Sequence, residues 1–107
     1  HESAKATGLD VPAEVSAKHG AVSAEVTRGL AEGLLTQSGA SATVAITGYA
    51  GPGGGNAINP VGTIFIAAAR PDAPLLAERH VFEGNRDNVR LQAVIAAIRL
   101  LQKQIEA

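Results

Sequence analysis

The residues best suited to chemistry fall in two places. Between Ala42 and Ala69, two apolar β-branched runs flank a loop of bare backbone and proline. The runs are Thr43-Val44-Ala45-Ile46 and Val61-Gly62-Thr63-Ile64-Phe65-Ile66. Glycines such as Gly51, Gly53, Gly54 and Gly55 can take φ > 0 and let another group approach amide N–H donors. Pro52 and Pro60 limit the freedom of that loop. Thr47 adds a hydroxyl where the first run meets the loop. With the amides of Gly48 to Gly54 it could hold a substrate or a developing oxyanion. The plain alternative is a β-branched residue ending a strand, with glycines that only make turns. A stiffened, glycine-lined loop at the end of a buried strand is where α/β folds commonly put a ligand.

The second place is Gly84-Asn85-Arg86-Asp87-Asn88. With Asn85 or Asp87 as a cap, Arg86 falls in or beside the first turn of a helix, whose dipole end is already positive. A cation there makes better sense if an anion arrives, because helix amides and a guanidinium together form a phosphate site. Arg90 lies one turn on and could face the same way. The plain alternative is a surface arginine paired with Asp87 or Glu83.

Other candidates carry less. GPGGG is neither a Walker loop nor GxGxxG, so a nucleoside triphosphate or dinucleotide reading is weak. His1, His19 and His80 have no metal-ligand spacing, and no metal site is expected. Ser23 suits a helix N-cap better than a nucleophile. Lys5, judged by composition alone, reads as a solvated helix lysine.

These residues need elements to position them. Short helical stretches are predicted over 2–7 and from Val11-Pro12 to Gly20. A third helix starts after Ser23, carries Val26, Leu30, Gly33 and Leu34 on one face, and ends at Gly39. The two runs above are strands, Pro71-Asp72-Ala73-Pro74 is a turn, and Leu75 to Glu83 reads as a third strand nearer an edge. A long helix over 86–105 follows. Its apolar face holds Val89, Ala93, Ala97, Leu100 and Leu101, widened by Val94, Ile98 and Ile105. Three strands are too few to cover both helix layers, so a strand or two, and a helix, are expected to be missing.

The chain has 107 residues, enough for one domain or a large part of one. Hydrophobic residues make up 46% but aromatics only 3%, which predicts thin, closely packed layers. A net charge of -1 argues against non-specific binding to nucleic acid or anionic membranes. With no cysteine there is no disulfide, thiolate zinc site or cysteine nucleophile, which fits a reducing, cytoplasmic setting. No apolar run approaches the roughly 20 residues of a membrane helix, and no signal peptide is visible. The chain opens on His1 rather than Met.

In one order the sequence holds Lys5 in ESAK, GAVS from Gly20, TGYAGPGGG from Thr47, PVGT from Pro60 and GNRDNVR from Gly84. Together these resemble the C-terminal domain of the CinA proteins, the competence/damage-inducible, nicotinamide-nucleotide amidase family. The resemblance covers essentially the whole chain, as roughly the last two-thirds of the domain. It implies a three-layer α/β/α sandwich around a mixed sheet, here incomplete at the N-terminus. It also implies metal- and cofactor-free hydrolysis of nicotinamide mononucleotide to nicotinate mononucleotide and ammonia, by a serine nucleophile with a lysine base. Lys5 matches that lysine. The family's serine lies in a Glu-Ser-Cys-Thr-Gly-Gly motif, which this chain lacks, and its tyrosine five residues before the lysine would fall before His1. The chain alone is therefore expected to be inactive.

An amide is a poor electrophile. Hydrolysing it needs an activated nucleophile, donors for the oxyanion and a proton for the leaving ammonia. In this reading Lys5 and Thr47 are catalytic. Gly48, Gly51, Gly53, Gly54, Arg86 and Arg90 bind the substrate, with the 5′-phosphate at Arg86. The partners are a mononucleotide, further copies of the chain and the missing part of its own domain. The alternative is a non-catalytic nucleotide-binding or assembly module on the same fold.

Overall fold

A computed structural model describes residues 22–106. The stretches predicted as helical before Val22, together with Lys5, His1 and His19, lie outside the described residues. The described elements are α1 (Ala24–Ser38), β1 (Thr43–Gly48), β2 (Thr63–Ala69), β3 (Leu76–Val81) and α2 (Arg86–Glu106). The strands form one sheet in the order β1-β2-β3, with α1 on one face and α2 on the other. This is the α/β sandwich that the sequence predicts. Both described pairings are antiparallel, whereas the resemblance implied a mixed sheet. The connections joining these strands hold no helix, and a parallel neighbour needs a longer crossover.

Each helix starts for a local reason. The Ser23 side chain accepts the Val26 N–H at 3.1 Å, and Gly39 closes α1 in the left-handed region at φ 66°. Asn85 caps α2: its Oδ1 accepts the Asn88 N–H at 2.9 Å, while Asn88 Oδ1 accepts the Asn85 N–H at 3.2 Å. Two orphan amides are thereby satisfied reciprocally, in the manner of a capping box.

The α2 layer is the larger core. Val89, Ala93, Ala97 and Leu100 pack on Val44, Ile46, Ile64, Ile66 and Ala68. The predicted face is too wide, however. Val94, Ile98 and Ile105 are 41%, 44% and 57% exposed, and the buried stripe ends on Gln104 instead. Gln104 Nε2 donates to the carbonyls of Ala68 at 2.8 Å and Pro74 at 2.9 Å. A polar residue is wanted there because α2 crosses the β2–β3 turn, where carbonyls need donors.

On the other face, Ala31 meets Ala45, Ala67 and Ala69, with Leu30, Leu34 and Leu35 around them. The predicted stripe of α1 is rotated by one residue: Thr27 and Ala31 are buried, whereas Val26 is only half-buried. Small residues take the closest contact because the sheet beneath Ala31 offers Ala45, Ala67 and Ala69. The approach is close enough for Thr43 Oγ1 to donate to the Ala31 carbonyl at 2.8 Å.

Every residue of β1 and β2 is buried, whereas β3 alternates between half-buried and exposed. Beyond β3 there is no further described strand, as its edge-like composition suggested. The second strand begins at Thr63 rather than Val61. Thr63 N–H donates to the Pro60 carbonyl at 3.0 Å, which turns the chain through Gly62 at φ 99° before the ladder starts.

Candidate functional site

The sandwich has a chemically distinct end. β1 runs out into the glycine loop, β2 returns from it, and both helices begin there. For α1 this follows from a buried contact between Thr27 in its second turn and Thr47 near the end of β1. For α2 it follows from Arg86, whose Nη1 donates to the Gly51 carbonyl at 3.0 Å. The two regions singled out in the sequence, 35 residues apart, therefore meet. Two helix N-termini, each with partial positive charge, frame one glycine-rich loop.

The loop is held by its own backbone and by two arginines. Tyr49 N–H donates to the Thr63 carbonyl at 3.0 Å, and Gly62 N–H donates to the Tyr49 carbonyl at 2.6 Å. Asn56 Oδ1 accepts the amides of Ile58 at 3.0 Å and Asn59 at 2.8 Å, an Asx-type turn at the tip. Arg79 on β3 donates from Nη2 to the Ile58 carbonyl at 3.1 Å and to Asn59 Oδ1 at 3.3 Å. The Gly51–Pro52 peptide is cis. Gly51 sits at φ 93°, where an L side chain is strained, and a Cβ there would meet Val61 Cγ1 at 2.8 Å. At Gly48 a Cβ would run into the Thr63 carbonyl oxygen. Gly53 and Gly54 are exposed, and among the described residues their amides take no acceptor. They offer backbone donors to an incoming group.

Thr47 is fully buried and belongs to a hydroxyl relay. Thr27 Oγ1 donates its single proton to the Ser23 carbonyl at 2.8 Å. The 2.7 Å contact between Thr27 and Thr47 must then be Thr47 donating to Thr27. The Thr47 proton is thus committed to α1, which leaves Thr47 no donor for an oxyanion. Arg90 lies one turn beyond Arg86 and is exposed. Lys5 lies outside the described residues.

Two concavities lie elsewhere. A groove of about 510 Å³ runs between β3 and α2, walled by Glu78, His80, Phe82, Arg99 and Lys103. His80 Nε2 lies 2.9 Å from Glu78 Oε1, and its ring stacks on Phe82 with centroids 4.9 Å apart. A hollow of about 140 Å³ lies on the α1 face beside Ala24, Thr27, Phe65 and Arg79. Neither is lined by the glycine loop or Arg86. The described residues contain no His/Cys/Asp/Glu group suited to a metal. Sequence reasoning missed the arginine clamp from Arg79, the Thr27–Thr47 contact and the buried Gln104. Only the alternation of β3 could have signalled the first.

Comparison with known proteins bears on the family that the ordered motifs resemble. The model of the CinA C-terminal domain matches residues 1–105. This chain belongs to the CinA C-terminal domain family. It is 40% identical over 106 residues to a CinA-like protein of Myxococcus xanthus, covering 99% of this chain and 25% of that protein. It is 48% identical over 99 residues to a CinA-like protein of Anaeromyxobacter sp. strain K, covering 92% and 24%. The chain thus spans about a quarter of the length of these curated relatives.

Among solved structures, a competence/damage inducible protein of Agrobacterium tumefaciens superposes with a TM-score of 0.75 at 34% identity. That match covers 97% of this chain and 64% of the other. A CinA superfamily protein of Klebsiella pneumoniae gives 0.72 at 36% identity, covering 100% and 67%. The competence/damage-inducible fold is therefore this chain's fold. Among the described residues no helix is long and apolar enough to cross a membrane.

Proposed function

We propose that this CinA-family chain forms part of an amidohydrolase that converts nicotinamide mononucleotide and water to nicotinate mononucleotide and ammonia. The observation that carries the reading is the bond from Arg86 to Gly51, which sets a guanidinium and a helix N-terminus beside the glycine loop. That combination suits the 5′-phosphate of a mononucleotide. Arg90, one turn on, adds positive charge along the same helix. This reading assigns the oxyanion of a tetrahedral intermediate to amides of the loop, Gly53 and Gly54 among them. Gly48 and Gly51 let the backbone take the required path. Thr47 serves as a positioning residue, tying α1 to the end of β1 through Thr27.

The nucleophile comes from outside this sequence, which holds no Glu-Ser-Cys-Thr-Gly-Gly motif. In the proposed step the serine oxygen attacks the carboxamide carbon while neutral Lys5 takes the hydroxyl proton. Collapse of the intermediate expels ammonia, which carries that proton away. Water then cleaves the acyl-enzyme and releases nicotinate mononucleotide. Lys5 must be desolvated or placed near another cation to be neutral at pH 7. The setting is cytoplasmic, with no metal or cofactor.

A second reading is a non-catalytic nucleotide-binding or assembly module. A row of apolar residues on the outer side of α2 favours it. Leu91, Val94, Ile98 and Ile105 are each more than 40% exposed, and the half-buried Leu101 completes a spacing of three and four. That spacing is a helix-pairing pattern and fits a second copy of the chain. Ammonia release from nicotinamide mononucleotide separates the two readings. The full-length protein is expected to release it and the 107-residue chain alone is not. Hydrolysis by the bare chain would refute the proposed nucleophile, and an inactive full-length protein would refute the amidase.

A further inference from the structure

Thr63 carries a hydroxyl that the described residues do not use. It is the first residue of β2, it is 0% exposed, and its Oγ1 has no hydrogen-bond partner among the described residues. A buried hydroxyl with nothing to bond is unfavourable, and valine would fill the same β-branched shape in a strand without that penalty. The backbone of Thr63 is also fixed. Its carbonyl holds the Tyr49 amide, its amide bonds Pro60, and its carbonyl oxygen forbids a Cβ at Gly48.

The side chain faces α1. Phe65, two residues along the same strand, lines the hollow beside Ala24 and Thr27, and strand alternation puts Thr63 on that side. Thr47 stands opposite Phe65 on β1, so the Thr63 hydroxyl is the diagonal neighbour of the Thr47 relay. Arg86 and the start of α2 belong to the other face. A ligand with its phosphate at Arg86 that extends across the glycine loop points its opposite end toward the α1 side. For a nicotinamide mononucleotide that end is the carboxamide, which has both an acceptor and donors. A freely rotating hydroxyl can serve either.

Resting on the amidase reading, we propose that the Thr63 hydroxyl is a substrate-recognition contact for the carboxamide of the bound mononucleotide. It sits at the root of the glycine loop, where the Thr63 carbonyl holds the Tyr49 amide.

Calorimetric binding to the full-length protein tests this, with nicotinamide mononucleotide and ribose 5-phosphate as probes. Thr63→Val is expected to weaken nicotinamide mononucleotide roughly tenfold, the loss of one neutral hydrogen bond. It should leave ribose 5-phosphate unchanged and melt no lower than the wild type. Thr63→Ser should bind both probes like the wild type. Unchanged nicotinamide mononucleotide binding in Thr63→Val, or an equal loss for both probes, overturns the assignment. Hydrolysis is followed separately. A wild type that binds nicotinamide mononucleotide without hydrolysing it refutes the amidase and leaves the Thr63 comparison intact. A wild type that binds neither probe refutes both.

Discussion

Arg86 does two jobs that a lysine would not share. Its planar fork reaches the Gly51 carbonyl while its charge stays at the start of α2. Arg86→Ala should raise KM for nicotinamide mononucleotide by about tenfold while lowering stability by less than about 1 kcal/mol, as expected for one partly buried hydrogen bond. An unchanged KM with a lower melting temperature would make the residue purely structural. Gly48 is one of the sterically tightest positions of the loop and its roots. Gly48→Ala forces a methyl group into the Thr63 carbonyl oxygen and should cost roughly 1–3 kcal/mol in thermal or urea unfolding. The arginine was legible in sequence because a cation at a helix start is unusual. The Thr27–Thr47 relay was not, because β-branched residues at a strand end are ordinary and nothing local says which hydroxyl of a helix will lie above them.

At the scale of elements, the caps and turns were the most readable part. Ser23, Gly39, Asn85 and the Pro71–Pro74 turn act as their local chemistry dictates. Ser23→Ala and Asn85→Ala should each destabilise by about 1 kcal/mol, the usual worth of a side-chain cap. Additivity in the double variant, read from chemical denaturation, checks that the two helix starts are independent. Which face of each helix is buried was read less well. Periodicity finds a large-residue stripe, but α1 meets a threonine- and alanine-coated surface, so Thr27 and Ala31 take the contact. On α2 the buried stripe ends on Gln104, which hydropathy assigns to solvent. Its partners are carbonyls of β2 and of the turn that follows, invisible until the chain is folded. Gln104→Ala removes both bonds and leaves a hole, and should cost about 2–4 kcal/mol.

For the molecule as a whole, composition predicted the thin layers and the motif order predicted the family. The exposed row on α2 was misread as core, because apolar periodicity does not distinguish a residue packed on its own sheet from one that awaits another surface. If a second copy covers that row, Ile98→Glu should shift the full-length protein to a smaller mass by light scattering and leave its melting temperature within about 2 °C. An unchanged mass would exclude this side of α2 as the contact.

The glycine loop is gripped from two directions, by Arg79 near its far end and by Arg86 near its start, in both cases through carbonyl or amide oxygens. Small guanidinium ions are chemical mimics of those grips, whereas urea carries no charge. Low, sub-denaturing guanidinium chloride should therefore slacken this segment selectively, speeding proton exchange at the bonded amides of Asn56, Ile58 and Asn59, while an equally mild urea solution with matched sodium chloride should not. A denaturant usually treated as a uniform solvent would here act as a local competitor, and routine unfolding curves in the two agents should begin to part company before the sandwich itself comes apart.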